Sequence, residues 1–253
     1  MKLTVIGCSG SYPGPDSPAS CYLVEADDAE RTWRVLLDLG SGALGTLHRY
    51  VDPLAVDAVV ISHLHPDHWF DMSGYYVLRK YHPSGAQPRI PVYAPAGAAE
   101  RMALAYGLPA HPGMSAEFDF HTHDENTTVR VGPLSIAVTK VVHPVDAFAI
   151  RVACEDRSFV YSGDTAAAEA LVRLAKGSSL LLAEASFREG EANPPDLHMT
   201  GKEAAEVARE AGVETLVLTH VPPWHEPQDA FDEARPVFDG NLELARTGAV
   251  YEI

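Results

Sequence analysis

The fold is decided by one short stretch, Ile61-Ser62-His63-Leu64-His65-Pro66-Asp67-His68. The β-branched run at 59–61 predicts a buried strand that ends where this stretch begins. Pro66 breaks the strand and suits the first turn of a helix. Two histidines therefore lie on a strand-to-helix turn, with Asp67 and His68 on the helical turn that follows. Four side chains of metal-ligand type within six consecutive residues indicate a metal site, because a packed core needs none of them.

Three further candidate ligands follow predicted strands elsewhere in the chain. Each lies where an apolar run meets a turn, and they are His143, Asp164 and His220. In layered α/β folds, sites form at the carboxyl ends of the strands. Their shared placement indicates that they join the first four side chains. Imidazole and carboxylate groups suit Zn²⁺, Mn²⁺ or iron, and seven ligands indicate a pair of ions rather than a single one.

The predicted elements come in a similar order in the two halves of the chain. Short β-type runs dominate the first half, and a helix is expected after Pro95 with Gly107 at its end. In the second half, strands between 129 and 162 precede a helix over 166–176 and another that begins at a capping-box pattern, Thr200-Gly201-Lys202-Glu203. This order predicts an α/β fold of two packed sheets with helices outside, a four-layer αββα sandwich. The polar segment 111–126, with its three histidines, is expected to be a solvated surface loop.

Composition narrows the class of protein. The chain has 253 residues, 46% hydrophobic and 21% charged, which predicts one globular domain over residues 1–253. There are 19 Lys and Arg against 35 Asp and Glu, giving a net charge of −16. That charge weighs against a broad nucleic-acid surface but is compatible with a small anionic substrate beside bound cations. No apolar run is long enough for a membrane span, and three scattered cysteines without a CxxC pair fit a cytoplasmic location.

These motifs resemble the metallo-β-lactamase fold superfamily, and within it the phosphodiesterase branch that includes ribonuclease Z and bacterial cyclic-nucleotide phosphodiesterases. The resemblance spans nearly the whole chain. It rests on the HxHxDH stretch together with the following segments: Gly7–Pro13, Asp38-Leu39-Gly40-Ser41-Gly42, His143, Ser162-Gly163-Asp164-Thr165 and Thr219-His220. The resemblance implies the αββα fold and two divalent metal ions, with zinc expected and manganese or iron as alternatives.

The resemblance also implies a role for each ligand. The first metal would be bound by His63, His65 and His143, and the second by Asp67, His68 and His220, with Asp164 and a hydroxide bridging the two. Asp67 is counted among the catalytic residues as well as the ligands. Asp38 is expected to be a structural acid beneath the metals. Attack of the bridging hydroxide on a phosphodiester is the reaction that the resemblance implies.

A leaving alkoxide needs a proton, and two further segments resemble the motifs that supply it in this branch. Leu182-Ala183-Glu184-Ala185 resembles the HEAT-type motif, although Ala183 replaces its histidine, and Leu197-His198-Met199-Thr200 resembles the HST-type motif. His198 is therefore expected to be the general acid, oriented and charged by Glu184. Trp224 and His225, just after His220, are candidate walls for a base or sugar.

Cyclic-nucleotide phosphodiesterases and tRNA 3′-processing enzymes have the same metal site, so features outside the site must distinguish the two activities. The tRNA 3′-processing enzymes carry a long arm between the third-motif histidine and the bridging aspartate, whereas His143 and Asp164 here are 21 positions apart (164 − 143). We therefore expect hydrolysis of 3′,5′-cyclic nucleotides to monophosphates. A ribonuclease Z-like endonuclease, another small-ester metallo-hydrolase and a non-catalytic metal-binding scaffold are the alternatives. The expected partner is a small anionic phosphodiester rather than a membrane, and family resemblance suggests a homodimer.

Overall fold

A computed structural model describes all 253 residues of the chain. Fourteen strands form two seven-stranded sheets, whose orders are β14-β1-β2-β3-β4-β5-β6 and β13-β12-β11-β10-β9-β8-β7. The strands of the first sheet are β1 Lys2–Gly7, β2 Cys21–Asp27, β3 Thr32–Leu37, β4 Ala58–Val60, β5 Ile90–Ala94, β6 Phe118–Thr122 and β14 Val250–Glu252. Those of the second sheet are β7 Val129–Val131, β8 Leu134–Lys140, β9 Phe148–Cys154, β10 Arg157–Tyr161, β11 Leu180–Glu184, β12 Thr215–Thr219 and β13 Asn241–Leu244.

Seven α-helices and one short 3₁₀ helix connect the strands. They are α1 Ala43–Leu47, α2 Pro66–Trp69, α3 Met72–Tyr81, α4 Ala98–Tyr106, α5 Glu169–Ala175, α6 Gly201–Ala211 and α7 Pro227–Ala234, with the 3₁₀ turn at Pro53–Ala55. None of these helices has the length and apolar character that crossing a bilayer requires. The three cysteines are free thiols.

Three separate hydrophobic cores show the layering. One lies between the sheets, one between the first sheet and helices α1, α3 and α4, and one between the second sheet and helices α5, α6 and α7. The alternation of side chains along a strand builds this arrangement, because Val35 and Leu37 face the middle core while Leu36 faces the helices. The expected four-layer αββα sandwich is confirmed.

Strand direction determines where the site forms. The pairs from β3 to β6 and from β10 to β13 are parallel, whereas the remaining neighbours are antiparallel. Parallel neighbours bring their carboxyl ends to the same edge. The residues that follow β3, β4, β10, β11 and β12 therefore meet at one end of the sandwich.

Local structure differs from the sequence expectations at three places. The strand before the HxHxDH stretch, β4, ends at Val60 rather than at Ile61. The second-half helix begins at Glu169 rather than at residue 166. The expected loop 111–126 contains β6, an edge strand parallel to β5, because Phe118 and Phe120 alternate with polar residues and pack on the core.

One histidine of that segment is also not solvated as expected. The His123 side chain is half-buried, its Nε2–H donates to the carbonyl of Ile61 at 2.7 Å, and its ring lies 4.8 Å from that of Phe148. His111 and His121 are exposed, in agreement with the sequence expectation. Trp69, Tyr75 and Tyr76 belong to the core.

Candidate active site

Two clusters of imidazole and carboxylate groups lie at the shared edge of the two sheets. Within each cluster the candidate ligand atoms all lie within 4.8 Å of one another. The first consists of His63, His65, His143 and Asp164, and the second of Asp67, His68, Asp164 and His220. The two clusters thus contain all seven side chains that the sequence picked out, and Asp164 belongs to both.

Asp164 is placed to serve the two clusters with different oxygens. Its Oδ2 lies 3.6 Å from His63 Nε2 of the first cluster. Its Oδ1 lies 3.3 Å from His68 Nε2 and 3.4 Å from His220 Nε2 of the second. Burial by itself would raise the pKa of Asp164, but the surrounding imidazoles, with His220 foremost, hold it well below the usual range. The carboxylate is therefore ionised and can bridge two cations.

The candidate ligand nitrogens of neighbouring imidazoles lie close together, an arrangement that suits a bound cation. His68 Nε2 and His220 Nε2 are 3.1 Å apart, and so are His65 Nδ1 and His143 Nε2. The Nδ1 atoms of His68, His143 and His220 already have partners outside the clusters, so each ring, when neutral, presents its acceptor lone pair at Nε2.

Other atoms of the clusters also indicate a cation site. His63 Nε2 and Asp164 Oδ1 are buried without any hydrogen-bond partner. Orphaned buried acceptors are rare in proteins and call for an explanation such as an ion. Burial, together with the nearby His68, lowers the pKa of His63 well below its usual value, which favours the neutral, metal-binding form of its ring. The residues present therefore fit divalent metal ions.

A buried network beneath the second cluster fixes the ring of His68. Asp38, fully buried, accepts the Nδ1–H of His68 at 2.7 Å and the hydroxyl of Tyr161 at 2.8 Å. It also accepts the backbone N–H and the hydroxyl of Ser62 at 2.7 and 2.8 Å. A carboxylate behind a ligating histidine orients the ring and makes its free nitrogen more basic. Asp38 thus lies where the sequence expected a structural acid, outside both clusters.

Two further histidines are held by neighbouring groups. Ser186 Oγ donates to the backbone carbonyl of His220 at 2.9 Å and can therefore accept the ring Nδ1–H of the same residue, also at 2.9 Å. His143 Nδ1–H donates to the carbonyl of Leu197 at 2.9 Å. Each contact leaves Nε2 facing the clusters.

The turn before Asp164 depends on a glycine. Gly163 has φ +58°, a left-handed conformation that favours glycine. A Cβ there would lie 2.9 Å from the carbonyl oxygen of Phe148 and 3.1 Å from Cβ of Ser62. The turn from β10 can therefore pass close under the HxHxDH stretch and present Asp164 between the clusters.

The pair Glu184 and His198 lies beside both clusters. His198 Nδ1–H donates to Glu184 Oε1 at 2.8 Å, and the His198 ring lies 5.4 Å from that of His143 and 5.8 Å from that of His220. Glu184 is fully buried and also accepts the backbone N–H groups of Thr165 and Ser186. Burial lowers the pKa of His198, but the Glu184 carboxylate outweighs this and raises it to about 9. His198 is thus a protonated group at the site, with its Nε2–H free of Glu184.

Trp224 and His225 occupy different surroundings. Trp224 is 59% exposed and packs against Tyr12, whereas His225 lines a cavity of about 510 Å³ that contains none of the seven candidate ligands. A contact of either residue with substrate remains a prediction.

Several orienting residues carry no recognisable signal in the sequence. Ser62 and Ser186 are ordinary serines, and Tyr161 reads as one more residue of an apolar strand. Their functional positions depend on pairing across the two sheets, since Tyr161 reaches Asp38 over a sequence separation of 123 positions. The only signal in the sequence for a role of the two serines is their position close to His63 and Glu184 along the chain.

The fold and this pair of clusters define a metal-dependent hydrolase. The family described as "Beta-lactamase superfamily domain" matches residues 33–221. The chain belongs to this superfamily.

Relatives match along the full length of the chain. An uncharacterized protein of Mycobacterium tuberculosis, Rv1339, is 40% identical over all of this chain and 92% of its own length. The probable metallo-hydrolase YhfI of Bacillus subtilis is 30% identical over 258 aligned positions that cover both chains fully, and its crystal structure matches with a TM-score of 0.88 at 28% identity over 100% of this chain and 99% of that one. A ribonuclease Z of Haloarcula marismortui is 26% identical over 302 aligned positions, which cover 98% of this chain and 95% of that protein. Since this chain has 253 residues, that longer alignment requires insertions in the ribonuclease.

Proposed function

We propose that this protein is a phosphodiesterase with two divalent metal ions, zinc being expected, that hydrolyses 3′,5′-cyclic nucleotides to monophosphates. The observation that carries the proposal is the segment between His143 and Asp164. It consists of β9, β10 and short turns, and both strands are paired within the second sheet. No arm that could hold the body of a tRNA leaves the fold there.

The roles of the chain's own residues follow from the geometry. The seven residues of the two clusters would hold the ions, which when bound supply Lewis acidity toward the phosphate and an activated water. Asp164 would keep the two ions together, because its two oxygens face different clusters. The histidine ligands are neutral, so the positive charge of the ions stays available to an anionic phosphodiester.

His198 would protonate the leaving oxygen. Its Nδ1–H is committed to Glu184, so the proton that it can give up is the one on Nε2. Glu184 keeps its position through this step, because the backbone N–H groups of Thr165 and Ser186 also donate to it. After the transfer, the neutral ring keeps its orientation through the same Nδ1–H bond and can recover a proton from water.

The second candidate function is that of a ribonuclease Z, which the Haloarcula relative favours by its name. The insertions of that relative and the net charge of −16 here both count against a large RNA substrate. A hydrolase of another small ester would use the same metal clusters and differ only in the substrate that it binds next to them.

The test is a substrate panel with the purified protein loaded with zinc or manganese. Cyclic mononucleotides, bis-p-nitrophenyl phosphate and precursor tRNA are incubated separately, and products are separated by chromatography. We expect a nucleoside monophosphate from a 3′,5′-cyclic nucleotide and little cleavage of the tRNA. Efficient tRNA cleavage with cyclic nucleotides untouched would make the endonuclease the better assignment.

A further inference from the structure

Two exposed aromatic rings, those of Tyr12 and Trp224, lie together on two loops that meet at His220. The ring centroids of Tyr12 and Trp224 are 5.6 Å apart with an angle of 35° between the planes. Tyr12 is 46% exposed and Trp224 is 59% exposed. A contiguous pair of large aromatic side chains left in water is a common mark of a binding surface.

The loops that carry these rings are joined at the candidate metal ligand itself. His220 N–H donates to the carbonyl of Cys8 at 3.0 Å, and Gly10 N–H donates to the carbonyl of Val221 at 3.1 Å. A Cβ at Gly10 would lie only 2.2 Å from the carbonyl oxygen of His220, so glycine permits the close approach of the two backbones. The aromatic pair is therefore coupled to the position of His220.

The Tyr12 loop is also held in one conformation. Ser9 Oγ donates to the Tyr12 carbonyl at 2.7 Å, and Tyr12 N–H donates to the Gly10 carbonyl at 2.7 Å. Proline follows Tyr12 at position 13 and precedes Trp224 at positions 222 and 223, which restricts both backbones. A surface that is ordered before the ligand arrives loses less entropy on binding.

We propose that Tyr12 and Trp224 form a stacking platform for the planar base of a nucleotide whose phosphate lies at the metal clusters. This inference rests on the proposed function for the identity of the substrate. A base inserted between the two rings would need about 7 Å, twice the contact distance of about 3.5 Å. The measured 5.6 Å is too small, so the base stacks on the outer, exposed face of the pair.

The platform also determines which bases are preferred. Neither side chain is charged, and stacking depends on ring area rather than on hydrogen-bond pattern. A purine covers more of the surface than a pyrimidine and binds more tightly for that reason. Tyr12, to which the sequence analysis assigned no role, thereby becomes a specificity-determining residue together with Trp224.

The experiment measures equilibrium binding by calorimetry to the zinc-loaded protein, with no turnover required. The probes are adenosine 5′-monophosphate and ribose 5-phosphate, which share the phosphate and sugar and differ by the base. We expect the wild-type protein to bind the nucleotide more tightly by about 5- to 150-fold, which is the usual effect of stacking one base. In the double variant Tyr12→Ala/Trp224→Ala this ratio should fall toward one, while the Kd for ribose 5-phosphate stays the same.

Two sets of controls complete the design. Tyr12→Phe/Trp224→Phe keeps both rings and should keep most of the ratio, whereas Tyr81→Ala removes an exposed aromatic at the end of α3 and should leave it unchanged. Equal binding of the two probes by the wild-type protein, or an unchanged ratio in the double alanine variant, would overturn the platform. Intact selectivity for the nucleotide without any hydrolysis of cyclic nucleotides would overturn the proposed function and leave the platform standing.

Discussion

At the scale of single residues, the site depends on where each imidazole directs its second nitrogen. His68, His143 and His220 each commit Nδ1 to a group outside the clusters, namely Asp38, the Leu197 carbonyl and Ser186. Their Nε2 atoms then converge on the same space. A divalent metal ion there would bind these nitrogens in the neutral form of each ring, so metal binding and the folding of this edge are linked.

Asp164 tests that link most directly. Asp164→Ala removes the group that faces both clusters, and we expect the metal content to fall from about two ions per chain, as two clusters imply, with loss of nearly all turnover. Elemental analysis after gel filtration measures the content. Asp156→Ala, at an exposed turn between β9 and β10, is the matched control and should keep both ions. Full activity of the wild-type protein after exhaustive chelation would contradict the metal mechanism.

His198 is tested through the leaving group. His198→Ala should retain both metals, because the residue lies outside the two clusters of candidate ligands to which the metals are assigned. Hydrolysis of a diester with an alkoxide leaving group should slow by about 10²–10⁴-fold, the usual effect of a positioned general acid. A p-nitrophenolate leaves without protonation, so that substrate should suffer much less. Equal losses on the two substrates would assign His198 a binding role.

Glu184 should set the pH range over which His198 keeps its proton. The carboxylate raises the pKa of His198 to about 9 against the lowering effect of burial. Glu184→Gln removes the charge and retains an acceptor for Nδ1–H, so the pKa should fall and the decline of activity at high pH should move to lower pH. The profile of kcat/KM for an alkyl diester measures the shift. A profile unchanged at high pH would mean that His198 is not the acid.

At the scale of elements, helix α6 anchors the acid. Its N-cap Thr200 lies two residues after His198, and the capping box is complete, with Glu203 N–H donating to the Thr200 hydroxyl at 3.2 Å and the Thr200 N–H donating to Glu203 at 2.9 Å. The sequence pattern predicted this helix start, and it is confirmed. The cap therefore fixes the segment that presents the His198 ring.

Loss of the cap should be measurable as stability. Thr200→Ala should lower the free energy of unfolding by about 0.5–2 kcal/mol, the usual effect of removing an N-cap hydroxyl. Thr200→Ser keeps the oxygen and should stay near wild type. Denaturant unfolding of the two variants gives the comparison, and equal stabilities would show that the hydroxyl does not support the helix.

Elements were predictable where the signal was local and not where it came from pairing. Three elements are each specified by residues within their own short segment of sequence: the HxHxDH turn, the cap at Thr200 and the strand that leads into His220. β6 was missed because an edge strand with alternating polar residues reads as a polar loop until β5 is placed beside it. Tyr161 was missed as an orienting group because its partner Asp38 belongs to the other sheet.

At the scale of the whole molecule, charge and shape act together on the choice of substrate. The net charge of −16 is spread over a compact chain in which the second sheet runs without insertion from β8 to β10. A protein that binds nucleic acid through phosphate contacts binds it more tightly as salt is lowered, because it releases counterions. This chain has only 19 Lys and Arg side chains against 35 Asp and Glu, so it offers few positive groups to replace the counterions of the phosphates.

Binding of precursor tRNA should therefore be weak and should not follow the usual salt dependence. We expect labelled precursor tRNA to show no tight association at about 200 mM salt, and no steep gain when the salt is lowered to about 50 mM, where a protein with 6–10 phosphate contacts would gain about 10³–10⁵-fold. Fluorescence anisotropy measures the affinity, with a cyclic nucleotide assayed for turnover in the same buffers. If the proposed function holds, a cyclic nucleotide would need only the metal clusters for its phosphate and one face of the aromatic pair for its base, so its turnover should depend far less on salt. A steep rise of tRNA affinity at low salt would show a continuous basic path on the surface and would contradict the expected weak binding of tRNA.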